Sequence, residues 1–161
     1  MKIAIFAAFA IVLWGNSATL TVTSSAFTAN GFIPQKYSCK GENISPPLEV
    51  SGIPEGTQSL ALIMDDPDAP SGDFVHWVMW NIPVSGIIAE NSAPGNQGLN
   101  GRKENKYTGP CPPSGTHHYH FKFYALDTKL DLVAGTNKQA LLKAMEGHIL
   151  ASGELVGLFK K

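Results

Sequence analysis

The chain has 161 residues, 43% apolar and 16% charged, and its 12 basic and 13 acidic side chains leave a formal net charge of -1. That balance excludes a disordered polyelectrolyte and a protein held to nucleic acid by bulk charge, and the length suits one domain with no room for a second. With 16 glycines and 11 prolines, the turn content fits a β-rich fold better than a helical bundle.

In chain order, the first feature is a segment to set aside. Lys2 precedes an apolar run over 3–14 and then the small residues Gly15, Asn16, Ser17 and Ala18, the layout of a secretory signal peptide. The run is shorter than the roughly 20 residues of a spanning helix. Residues 1–17 are therefore expected to direct export, with the cut after Ser17 or, as the alternative, after Ala18. Residues 18–161 would then form one soluble domain without a membrane span, periplasmic or secreted.

Short apolar alternations follow, each ended by turn residues, with no internal repeat, charge block or linker. Strands are expected over 19–25, 48–50, 59–64, 74–82 and 117–126. The segment 85–110, dense in Gly, Asn and Pro, reads as a long loop, and loops of that length in compact domains often carry function. Thr136 or Asn137 can cap one helix over about 137–149, in which Ala140, Leu141, Ala144, Met145 and His148 stand at helical spacing. A last strand is expected over 153–159, giving an all-β body with one or two short helices.

Export decides how the two cysteines are read. Cys39 and Cys111 would meet an oxidising compartment, so a disulfide between two turn-rich loops ranks first, contributing several kcal/mol by closing a long loop. Separate thiols, or a thiolate nucleophile at Cys111 near His117, are the alternatives.

The chemistry gathers where strands end. Alternation puts His117, Tyr119, Phe121 and Phe123 on one face and His118, His120, Lys122 and Tyr124 on the other. It also groups Phe74, His76, Val78 and Trp80 opposite Trp77 and Met79, and aligns Leu60, Leu62, Met64 and Asp66. Asp66, His76 and His117 could converge on one polar bowl stiffened by proline loops. Imidazole and backbone N–H groups there could donate to a phosphate-like anion, while Asp66 or Asp68 could orient a histidine or meet an ammonium group. The bland alternative has Asp68, Pro67 and Pro70 form an Asx-type turn and makes the histidines capping groups. No metal site is expected, because alternation separates His117 from His118 and His120.

Two segments, DPDAPSGDFVHWVMWNIP and GPCPPSGTHHYHFKFYALD, resemble the signature regions of the phosphatidylethanolamine-binding protein family, also called the Raf kinase inhibitor protein family, in its compact bacterial branch. The resemblance extends over nearly all of residues 18–161. It implies a β-sandwich of a large antiparallel central sheet and a smaller sheet with few helices, and a preformed pocket for phosphate-like groups such as phosphoethanolamine. Carried over by position, it implies a ligand site of Asp66, Pro67, Asp68, Ala69, Pro70, His76, Trp77, Gly109, Pro110, Pro112, Pro113, His117 and Tyr119. His118 departs from the arginine common at that place, on the face away from the pocket.

The expectation is therefore an exported protein that binds a phosphate-like small molecule or phospholipid head group without catalysis, cofactor or nucleic acid. An inhibitor that docks a protein partner such as a kinase or protease is the alternative from another class. A hydrolase using Ser71 or Ser114 with a histidine ranks below both, for want of a nucleophile elbow.

Overall fold

The structure, a computed structural model, describes residues 18–161, so the expected signal peptide and its cut lie outside the described residues. The strands are β1 (Ala18–Thr19), β2 (Thr21–Thr23), β3 (Leu48–Ser51), β4 (Ser59–Asp66), β5 (Phe74–Ile82), β6 (Ile87–Ile88), β7 (Asn96–Gln97), β8 (Thr116–Leu126) and β9 (Ile149–Lys160). A 3-10 turn at Gln35–Tyr37 and one α-helix, α1 (Lys138–Met145), complete the elements among the described residues. Six strands form a large sheet in the order β1-β9-β8-β4-β5-β7, and three form a small sheet in the order β2-β3-β6. Both sheets are antiparallel except at one edge, where β1 runs parallel to β9.

The large sheet is covered on both faces over its centre, which explains the unbroken apolar run of β4, buried at all eight positions. Towards the small sheet, Leu60, Leu62, Met64, Trp77, Met79, Tyr119, Phe121 and Phe123 meet Val22, Leu48, Val50 and Ile88. On the opposite face, Ala61, Ile63, Val78 and Trp80 pack under Leu141 and Met145 of α1. The two-sheet, helix-poor architecture agrees with the expected fold class.

Three local expectations change. The first strand divides at Leu20, so β1 joins the large sheet and β2 the small one. Leu20 donates its N–H to the Ser152 carbonyl at 3.0 Å, an approach that a Cβ at Gly153 would block. The helix is shorter than 137–149: Asn137 caps it by accepting the Ala140 N–H at 2.9 Å, but a turn with Gly147 at φ 78° ends it after Met145. The last strand accordingly starts at Ile149, and His148 belongs to the turn.

The third change positions the site. Between β4 and β5 the register passes from Met64 opposite Trp77 to Asp65 opposite Val75, leaving His76 as the extra residue of a β-bulge. Val75 and Val78 both pack towards α1, so His76 and Trp77 both turn to the sandwich side. Simple alternation had grouped His76 with Val78 and Trp80; the bulge reverses it. A second bulge, with Asn81 at φ 55°, returns Ile82 to the sandwich core.

Candidate functional site

At the end of the large sheet where β4 stops and β8 starts, a cavity of about 230 Å³ opens between three loops. Asp66, Ala69, Pro70, Ser71, Phe74, His76, Arg102, Thr108, Gly109, Cys111, Pro112, Pro113 and His117 line it. Eight of these were expected as ligand residues: Asp66, Ala69, Pro70, His76, Gly109, Pro112, Pro113 and His117. The Pro-rich loops over 67–71 and 109–113 form facing walls, with few free φ angles to fix on binding.

The two cavity histidines are anchored in the same way. His117 Nδ1 lies 2.7 Å from Asp66 Oδ2, and both residues are buried. The other Asp66 oxygen accepts the Asp68 N–H at 2.9 Å, so an Asx-type turn forms on Asp66, where one was expected on Asp68, and the same carboxylate orients His117. His76 Nδ1 lies 2.7 Å from the Thr108 carbonyl, and the Thr108 N–H returns a bond to the His76 carbonyl at 3.0 Å. Both acceptors are pure acceptors, so each Nδ1 carries the proton and its N–H is committed to the protein. Donation from either imidazole to an anion therefore needs the second N–H of the protonated ring. Burial holds His76 below the ordinary imidazole pKa, against the opposing pull of the Thr108 bond and Asp66.

Five expected residues lie elsewhere. Pro67 and Asp68 are on the outer side, where the Asp68 carboxylate accepts the His118 N–H at 2.9 Å and the His118 Nδ1–H at 2.7 Å. That bond holds the Asp68 carboxyl below its usual range. Pro110 is buried and uses its carbonyl to accept the Cys39 N–H at 3.1 Å. Trp77 donates from its indole to Gln97 Oε1 at 2.9 Å, packs edge-on against Tyr107 and lines a separate cleft of about 240 Å³. Tyr119 is wholly buried behind the cavity, its ring 5.2 Å from that of His76. Its hydroxyl has no hydrogen-bond partner among the described residues, and burial, then the nearby Asp66 charge, raise its pKa.

The main residue missed is Arg102, which is exposed at the mouth and makes no ion pair among the described residues. It stands on a turn built by Asn100, whose Oδ1 accepts the N–H groups of Arg102 and Glu104 at 2.9 and 3.1 Å. The Asn-Gly pair at 100–101 was the available turn signal. Ser71, Phe74, Thr108 and Cys111 are further lining residues outside the expected set.

Cys111 and Cys39 form a disulfide that ties the 109–113 wall to the loop after the 3-10 turn. Gly109 donates to Asn43 Oδ1 at 2.7 Å, and its Cβ, were one present, would strike the Tyr37 carbonyl. Among the described residues no three His, Cys, Asp or Glu side chains are grouped to hold a metal ion. His118 and His120 lie on the outer face, bonded to Asp68 and Glu154.

The family model described as phosphatidylethanolamine-binding protein matches residues 23–160. A UPF0098 protein of Pyrococcus horikoshii is 48% identical over 149 residues, covering 86% of this chain and 75% of that protein. One of Methanothermobacter thermautotrophicus is 47% identical over 150 residues, covering 88% and 99%. A crystal structure of a phosphatidylethanolamine-binding protein homologue from Chlamydia trachomatis superposes with a TM-score of 0.86 at 43% identity, covering 90% of this chain and 99% of that one. E. coli YbcL, described as a member of the mammalian family, does so at 0.82 and 29%, covering 89% and 99%.

Proposed function

The chain belongs to the phosphatidylethanolamine-binding protein family, and from that premise we propose that it is an exported, soluble binding protein whose cavity takes phosphate-like anions, including the phosphoethanolamine head group. The observation that carries the reading is the joint presence, around one cavity, of a guanidinium at Arg102 that has no ion pair among the described residues and two anchored imidazoles at His76 and His117. Arg102 supplies the standing charge and a planar fork suited to two phosphate oxygens. The histidines supply further positive charge as pH falls. The cavity, at about 230 Å³, would admit a phosphate and a short amine, and Asp66 carries the negative charge that an ammonium tail would meet.

The reading is recognition without turnover. Among the described residues neither Ser71 nor Ser114 is hydrogen-bonded to a histidine, the contact a serine nucleophile takes from its base. The disulfide and the signal-like start support export, since such a bond persists in oxidising compartments.

Calorimetric titration with phosphoethanolamine and inorganic phosphate at pH 6 tests the proposal. Saturable binding is expected, weakened at least tenfold in folded Arg102→Ala and His117→Ala variants. Absence of binding by either ligand, or variants that bind as the wild type does, would overturn it.

A further inference from the structure

The hydrogen bonds that anchor the two histidines also determine what the cavity offers a ligand. A neutral imidazole has one N–H. At His76 the Thr108 carbonyl holds it on Nδ1, and at His117 the Asp66 carboxylate does the same, each at 2.7 Å. Neither Nε2 has a hydrogen-bond partner among the described residues, and in the neutral form each is a lone pair. Two acceptors in an anion cavity reject a bare oxyanion and accept one that brings a proton.

We propose that this cavity selects oxyanions by their hydroxyl group, preferring hydrogenphosphate, which carries a P–OH, over sulfate and phosphodiesters, which carry none. The proposal rests on the anion-binding reading of the same site and names its specificity. Hydrogenphosphate satisfies one Nε2 with its own proton while Arg102 meets its charge. Sulfate or a diester can be held there only after a histidine takes a proton from solvent. The preference is therefore largest at high pH and shrinks as the imidazoles protonate.

The charged surroundings set where that happens. From β4, Asp65 and Asp66 favour the imidazolium of His76, and Arg102, from the turn over 100–106, opposes it. Burial is the largest influence on His76 and keeps it neutral to lower pH. Around it stand the uncharged rings of Phe74 and Tyr119. His117 faces Asp66, with Asp68 beyond it, and its β9 partner is the uncharged Phe159.

The one-proton difference makes the phosphate-to-sulfate affinity ratio change about tenfold per pH unit above the imidazole range. Calorimetry of the full protein with inorganic phosphate, sulfate and glycerophosphoethanolamine, at pH 5.5 and 8 in buffers of different ionisation enthalpy, reads both ratio and proton uptake. Expected is a ratio at least tenfold larger at pH 8, and about one more proton taken up with sulfate or the diester than with phosphate. Equal ratios and equal uptake would overturn the selectivity and leave the anion cavity standing. No binding by any of the three at either pH would overturn the cavity reading itself.

Asp66→Asn supplies the decisive variant. The Asp68 N–H keeps the amide oxygen in place, so the amide nitrogen faces His117 and donates to Nδ1, which moves the imidazole proton to Nε2. Sulfate affinity at pH 8 is then expected to rise and the ratio to contract. A folded variant with an unchanged ratio refutes the proposal. Should this variant not fold, His76→Gln, whose amide is a donor at every pH, must contract the ratio in the same way.

Discussion

Removal of the Cys39–Cys111 disulfide separates what holds the cavity wall in place from what holds the chain folded. The two cysteines are 72 positions apart, a closure that takes about 4 kcal/mol of entropy from the unfolded chain. In the folded protein the same wall is secured by three other bonds: Cys39 N–H to the Pro110 carbonyl at 3.1 Å, Gly109 N–H to Asn43 Oδ1 at 2.7 Å, and the Tyr107 hydroxyl to the Tyr37 carbonyl at 2.7 Å. The covalent link is thus redundant in the native state and matters in the unfolded one. For a Cys39→Ala/Cys111→Ala variant, a urea dependence of about 2 kcal/mol per molar gives a midpoint lower by about 2 M. Phosphate affinity at pH 6 should stay within about threefold, since the hydrogen bonds keep Gly109, Pro112 and Pro113 in place. Urea unfolding followed by tryptophan fluorescence, with calorimetry on the same sample, measures both. A midpoint shift under about 0.5 M refutes the entropic reasoning, and a large affinity loss in a folded variant refutes the redundancy.

Tyr119→Phe deletes a buried hydroxyl that has no partner among the described residues, so thermal unfolding should show a change within about 0.5 kcal/mol or a small gain; a loss above about 2 kcal/mol would reveal a bond at that oxygen. Lys138→Met leaves the fully buried Asp65 with Lys122, at 2.8 Å, as its one cation among the described residues, and should cost about 3 kcal/mol in denaturant unfolding. A cost below about 1 kcal/mol would mean that Lys122 suffices. The His118 bond depresses the exposed Asp68 carboxyl, so its contribution is present above the unfolded value near 3.9 and is lost as pH falls through the lower folded value. His118→Ala should return Asp68 to the ordinary range in a carbon-detected NMR titration; an unmoved titration would assign the shift to another cause.

The elements that read well from the chain are those in which one physical pattern acts alone. The turn signals that flank β5 and its run rich in strand-forming side chains set its ends, and its bounds, Phe74–Ile82, are those expected although its alternation breaks inside. β8 alternates buried and open residues over most of its length, so the separation of His117 from His118 and His120 holds. Arg102 was hidden for a different reason. Asn100 replaces a backbone ladder with its own side chain, taking the N–H groups of Arg102 and Glu104 and donating to the Lys106 carbonyl at 2.9 Å. Such a turn has no period for a pattern to report. The helix end was lost similarly, because His148 keeps helical spacing while Gly147 reverses the chain.

His76 shows why alternation weakens where a site begins. A strict period of two places it under α1 with Val78 and Trp80, whereas the signature segment placed it beside His117. The extra residue in β5 resolves the conflict, since Val75 and Val78 can both face α1 only if the two residues between them face the other way. The same bulge brings His76 to the segment at Thr108, and the reciprocal pair formed there, N–H to carbonyl at 3.0 Å and Nδ1–H to carbonyl at 2.7 Å, fixes the imidazole tautomer. The departure from the pleat therefore does two things at once: it turns the ring into the cavity and decides which of its nitrogens the protein's own hydrogen bond occupies. A regular strand would bury the ring in an apolar layer, where its second nitrogen would have nothing to bond. The irregularity that defeats the pattern is the feature that brings His76 to the cavity wall.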